Sequence, residues 1–170
     1  MAHSIAEKFT NRCSALAAGL NSPPEGLSTP QPTAIITVAG VHEDGIKAAV
    51  PDEAVLWLGP HKWWVVSENQ PPQELTEKLT RALETENAAL TDVSHGGFRF
   101  RMRGPEVRDV LSAGVSLDLH PSAFKPGRSV PCAWDDIYIV LHRVEEECFD
   151  VYTLRSYASS LGEWLVASYT

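Results

Sequence analysis

Phe98-Arg-Phe-Arg-Met-Arg103 runs straight into Gly104-Pro-Glu-Val-Arg-Asp-Val-Leu-Ser-Ala-Gly114. The first half alternates apolar and arginine without a break, the period of a β-strand with two unlike faces. The second half changes period. Pro105 sits where a first helical turn tolerates proline, and Val107, Val110 and Leu111 form a short apolar stripe. Gly114 is a natural residue for the end of that helix. Strand, glycine, helix is therefore expected here.

Outward from this unit the same rhythm continues. Val55–Leu58 and Trp63–Val66 read as strands around Gly59-Pro60, and Pro71-Pro72 opens a helix with Leu75, Leu79 and Leu83 on one side. Leu90–Ser94 is a short strand ahead of Gly96-Gly97. Ile137–Leu141 and Phe149–Leu154 form a hairpin about Glu145-Glu-Glu147. Ser156 caps a last helix with Ala158, Leu161, Trp164 and Leu165 facing inward. Upstream, Ala34–Val38 is a β-branched strand and Ile46–Val50 a short one. Residues 1–32 read as an N-terminal helix, with a stripe of Ile5, Phe9, Cys13, Leu16 and Leu20, followed by a Pro/Ser/Gly linker. Residues 33–170 read as one compact α+β domain, with room for two interlocked subdomains. Hairpins joined by helices predict antiparallel sheets with helices packed against them.

The chain has 170 residues, 44% of them hydrophobic, and a formal net charge of −8. The acidity argues against nucleic acid or an anionic membrane as partner, and no apolar run suffices for a membrane span. Three widely spaced cysteines fit a reducing, cytoplasmic setting better than a disulfide framework. The six histidines show no metal-ligand spacing. No dinucleotide fingerprint, phosphate loop or nucleophile elbow is present.

Candidate functional residues are therefore surfaces rather than catalysts. Asp92, Ser94 and His95 look superficially like parts of a triad, but neighbours on a strand point to opposite faces, so Asp92 and Ser94 are expected to organise the Gly96-Gly97 turn. Arg99, Arg101 and Arg103 share one strand face, either solvated or docked on partner carboxylates. Trp63 and Trp64 point to opposite sides and need cover on both, from a helix or from a partner. Asp118 and His120 belong to a compact loop, as structure or as interface.

Order and spacing carry a family likeness. Leu56-Trp-Leu-Gly-Pro60 with Trp63, Asp92-Val-Ser94, the strand into Gly104-Pro105, Arg108-Asp-Val-Leu111, Gly114, Leu117-Asp-Leu-His-Pro121 with Phe124, and Arg155-Ser-Tyr-Ala158 before Trp164-Leu165 together resemble the gamma subunit of heterotetrameric sarcosine oxidase. N-methylglutamate dehydrogenase-type complexes share that family. The resemblance implies a fold akin to the folate-binding aminomethyltransferase domain. It also implies a non-catalytic role beside alpha, beta and delta subunits. FAD, FMN, NAD, tetrahydrofolate and zinc would then belong to those partners, and the substrate would be sarcosine or a related N-methyl amino acid. A free-standing folate-binding aminomethyltransferase-like protein and a ligand-binding adaptor are the alternatives from other classes.

Overall fold

The computed structural model describes residues 23–169. The N-terminal helix read from Ile5–Leu20 lies outside the described residues.

Nine strands make two antiparallel sheets. The smaller sheet holds β2 (Ala34–Ala39), β3 (Ala54–Gly59), β4 (Lys62–Ser67) and β5 (Ala89–Asp92), in the order β3-β4-β2-β5. The larger holds β1 (Leu27–Ser28), β6 (Gly97–Arg103), β7 (Ser129–Trp134), β8 (Ile137–Glu145) and β9 (Cys148–Leu154), in the order β1-β6-β9-β8-β7. The helices are α1 (Glu43–Ala49), α2 (Pro72–Ala82), α3 (Val107–Gly114) and α4 (Ala158–Ser168). The expected fold class is the observed one.

Side-chain alternation stacks these elements into four layers. On the smaller sheet Ala34, Ile36, Val38, Val55 and Val65 bury against Ile46 of α1 and Leu75 and Leu79 of α2. On the larger, Phe98, Phe100, Met102, Leu141 and Val151 bury against Val107 and Leu111 of α3 and Leu161 and Leu165 of α4. The opposite faces meet each other: Ile35, Leu56 and Val66 pack on Val140 and Tyr152. Removing these faces from water, at roughly 25 cal/mol per Å² of apolar area, is what holds sheet on sheet and helix on sheet.

The structure departs from the sequence reading at four places and gives a fifth a different reason. β1 falls inside the stretch read as linker and pairs Leu27 with Met102 and Ser28 with Arg101. Gln31 then continues the edge with its side chain, accepting from Arg99 N at 3.1 Å and donating to Arg99 O at 3.0 Å. Ile46–Val50, read as a strand, is mostly α1; Ile46 is buried as its inward residue. β7 escaped notice because Pro131 interrupts it; as an edge strand of its sheet it tolerates the missing donor. Trp164, expected inward, stands 37% exposed at the margin of α4. Gly114 ends α3 as expected, but for a packing reason. A Cβ there would lie 2.0 Å from the Trp134 ring, so only glycine lets the indole approach.

Candidate functional site

The register of β6, β9 and β8 sets three rows of side chains across the inter-sheet face of the larger sheet. Arg101 pairs with Asp150 and Asp150 with His142. Arg99 pairs with Tyr152 and Tyr152 with Val140. Gly97 pairs with Leu154, and Tyr138 follows one step beyond the Ile139–Thr153 pair.

The first two rows form an ion cluster. Asp150, itself buried, accepts from Arg101 Nε and Nη2 at 2.7 Å each and from Arg99 Nη1 at 3.4 Å. Tyr152 Oη donates to the same carboxylate at 3.4 Å. Glu68, just past β4, takes the other side of Arg99, with Oε1 on Nη1 and Oε2 on Nη2 at 3.0 Å. Arg99 Nε donates to Pro30 O at 2.6 Å. The guanidinium is thus held by two sheets and the incoming chain at once.

Electrostatics follow from this packing. The hydrogen bond from Arg99 draws the Glu68 carboxyl below its ordinary range. Bonding to Asp150 outweighs desolvation and raises Arg101. Burial, with Asp150 adding to it, raises the Tyr152 phenol. Burial pushes the His142 imidazole down to about 4, and the two arginines add to that. His142 is therefore neutral near pH 7, and its Nδ1 is buried with no hydrogen-bond partner. A cleft of about 380 Å³ opens over this cluster, lined also by Asp52, Glu53, Asn69 and Gln70.

The arginine face is thus neither plain solvent nor a free row of donors. Arg99 is 1% exposed, and the carboxylates that Arg99 and Arg101 meet are the chain's own. The cause is the second sheet, which covers this face where the sequence left it open. Arg103, last in the row, is exposed and reaches Glu145 at 3.8 Å.

Trp63 and Trp64 are each half-buried by the chain itself. Trp63 lies on the helix side and donates Nε1 to Val41 O at 3.3 Å; Trp64 lies between the sheets, donates to Thr37 Oγ1 at 3.1 Å and meets Tyr152 edge-on. The side chains of Asp118 and His120 do not pair with each other. Asp118 accepts from His120 N at 2.9 Å, and His120 Nδ1 meets Ser122 Oγ at 2.7 Å, so both shape an exposed turn. Asp92 accepts from Ser94 N at 2.9 Å and Oγ at 2.5 Å, while Ser94 Oγ accepts from Ile35 N at 2.9 Å. That couples β5 to β2 and leaves no nucleophile–base pair.

Sequence reading missed Glu68, Asp150, His142 and also Arg143. Fully buried Arg143 donates Nη2 to Glu146 O at 2.9 Å and Nη1 to Phe124 O, fastening the loop after α3 to the β8–β9 turn. The available signal was charge inside an apolar run: His142-Arg143 within β8 and Asp150 within β9. Among the described residues no three His, Cys, Asp or Glu gather as a metal site. None of the helices there is long and apolar enough to cross a membrane.

The surface also carries uncovered apolar residues. Tyr138, Leu154 and Tyr157 are each nearly half exposed. Tyr138 and Leu154 stand side by side on the inter-sheet face, one step beyond the Ile139–Thr153 pair.

Residues 34–169 match the model of the "Sarcosine oxidase, gamma subunit family". Sarcosine oxidase subunit gamma of Corynebacterium sp. (strain U-96) is 27% identical over 146 residues, 82% of this chain and 70% of that protein. Its counterpart in Corynebacterium sp. (strain P-1) is 28% identical over 142 residues, 84% of this chain and 65% of that protein. That of Arthrobacter sp. is 27% identical over 125 residues, 74% of this chain and 61% of that protein. The matches thus span about two thirds of these relatives' own length. In structure, a chain of the heterotetrameric sarcosine oxidase from Corynebacterium sp. U-96 in complex with pyrrole 2-carboxylate superposes with a TM-score of 0.77, at 23% identity, over 93% of this chain and 91% of that one.

Proposed function

Because the chain belongs to the sarcosine oxidase gamma subunit family, we propose that it is the non-catalytic gamma subunit of a heterotetrameric sarcosine oxidase-type complex. In this reading it supports oxidative demethylation of sarcosine or a related N-methyl amino acid in the cytoplasm. FAD, FMN, NAD, tetrahydrofolate and zinc reside in the alpha, beta and delta partners. The observation that carries the reading is the extent of the family match, which takes in every described strand except β1 and all four described helices.

The surface most suited to those partners is the uncovered Tyr138–Leu154 corner with Tyr157. Large aromatics in a desolvated patch supply most of the binding energy at interfaces. Arg103, Asp118 and His120 are the sequence candidates that remain on the outside; Arg99, Arg101 and Trp64 contribute from beneath, by holding the sheets together, and Trp63 by packing on the helix side of the smaller sheet. Residues 33–170 are the assembling unit, completed at the edge of the larger sheet by β1 and Gln31 from the segment before it.

Co-expression with the large flavoprotein subunits tests the reading. The expected result is a yellow complex that retains this chain through purification, while the chain alone is colourless. Failure to co-purify with them, or stoichiometric flavin on the isolated chain, would overturn it.

A further inference from the structure

We propose that the cleft over the ion cluster binds a small zwitterion, a molecule with a carboxylate and an ammonium group close together. The inference rests on the cleft alone and does not depend on the assembly role.

The volume, about 380 Å³, suits a small ligand. The site is built rather than incidental: Arg99, Asp150 and His142 line it and are all at least nine-tenths buried. Two groups are left over after the internal pairing is complete. Arg101 uses Nε and Nη2 on Asp150, and no described residue takes its Nη1. His142 lines the cleft, and its Nδ1 is buried with no hydrogen-bond partner among the described residues, an unfavourable state for a polar atom. A carboxylate is the natural complement of a free guanidinium edge.

Charge decides against a simple anion. Inside, Arg99 and Arg101 are balanced by Glu68 and Asp150. At the mouth, Asp52 and Glu53 make no ion pair among the described residues, so the cleft carries a negative surplus at its rim. An anion must pass that rim, and a simple cation meets Arg101 at the end. A zwitterion entering carboxylate first places its negative group on Arg101 and leaves its ammonium at Asp52 and Glu53. Ala54, Val66 and Val144 supply an apolar wall for its carbon skeleton.

The test is a titration of the full chain, followed through the His142 ring signals in NMR, which loss in a His142→Gln variant would identify. Glycine and N-methylglycine are the probes; acetate and methylammonium are half-molecule controls. Saturable shifts are expected with both zwitterions, at concentrations about tenfold lower than either half requires. Asp52→Asn with Glu53→Gln touches no ion pair of the cluster, so the fold should survive. That pair of substitutions should weaken the zwitterions about tenfold and strengthen acetate. Equal response to acetate and the zwitterions, no saturable shift, or indifference to the rim substitutions would each overturn the proposal.

Discussion

Three strands, β6, β9 and β8, build both ends of the layer between the sheets, and the two ends differ in every respect but geometry. At one end the row Arg101, Asp150, His142 is charged, buried and closed by Glu68 from the other sheet. At the other, Gly97 is buried under Ile35, but Leu154 and Tyr138 beside it are open, 46% and 48% exposed. A chain built only to fold would bury the apolar row and leave the charges wet. The reversal teaches that the charged end is neutralised by internal pairing beneath its cleft, whereas the apolar end is left for something the chain does not itself supply.

The sharpest way to break this contrast is to remove the carboxylate that both arginines share. Asp150→Ala leaves two guanidinium groups under-paired in the interior and should cost about 3–5 kcal/mol. For a chain of this size that lowers the melting temperature by roughly 2–4 °C per kcal/mol. Replacing Arg101 by Met and Asp150 by Leu together should recover much of it, since buried pairs exchanged for apolar groups are often close to neutral. A loss below about 1 kcal/mol in the single variant would mean that the charged end is not sealed at all.

Acid should attack the charged end alone. His142 has its folded pKa lowered to about 4 from an ordinary 6.5. The unfolded chain therefore takes up this proton first as pH falls. Stability should be unaffected above about pH 6.5, fall between there and pH 4, and change no further from this group below that. The limit is about 3 kcal/mol, at about 1.4 kcal/mol per unit. Glu68, lowered by Arg99, adds its own loss at the acid end, as its ion pair is protonated away. Denaturant unfolding across this range should show the fall, and His142→Gln should flatten it above pH 5. An unchanged slope in that variant would place the acid sensitivity elsewhere.

At the open end, Tyr138→Ser with Leu154→Ser should leave the melting temperature of the isolated chain almost unchanged. It should weaken retention in the flavoprotein complex by about 2 kcal/mol or more, the scale of interfacial anchors. Loss of fold with retained affinity would reverse the assignment of the two ends. The smallest effect belongs to Arg103→Ser. The pair with Glu145 is solvent-exposed, so unfolding should register less than about 0.5 kcal/mol. A larger loss would extend the sealed end by one more row.

What was legible in the sequence was period; what was not was cover. The alternation from Phe98 to Arg103 identified β6 and its two faces, and the shift of period at Pro105 identified α3. Period alone cannot say what lies over a face. The arginines therefore read as surface, although the partners that sealed them, Glu68 and Asp150, lie 31 and 49 or more residues away in sequence. Trp164 failed for a related reason. It flanks the stripe of Leu161 and Leu165, and whether such a flank is covered depends on the neighbouring element. Pro131 hid β7 because a proline argues against any strand except one at an edge. The Asp92–Ser94 turn, by contrast, was readable, since it is held by contacts two residues apart.

The edges of the larger sheet have a further consequence. On the β6 side, Arg103 N is taken by Gly26 O at 2.8 Å, β1 pairs with Met102 and Arg101, and Gln31 occupies both backbone groups of Arg99. On the β7 side, Pro131 lacks a donor, and Trp57 N already bonds Ser129 Oγ at 2.7 Å. The β6 border is thus spoken for, and the β7 border lacks a donor at Pro131, so another chain has fewer backbone groups on which to continue this sheet. Through this sheet, recruitment into a larger assembly should proceed by side chains meeting side chains rather than by strand addition. That route reads shape and residue identity rather than a generic peptide ladder, and it protects the free subunit from stacking on its own copies while it waits for its partners.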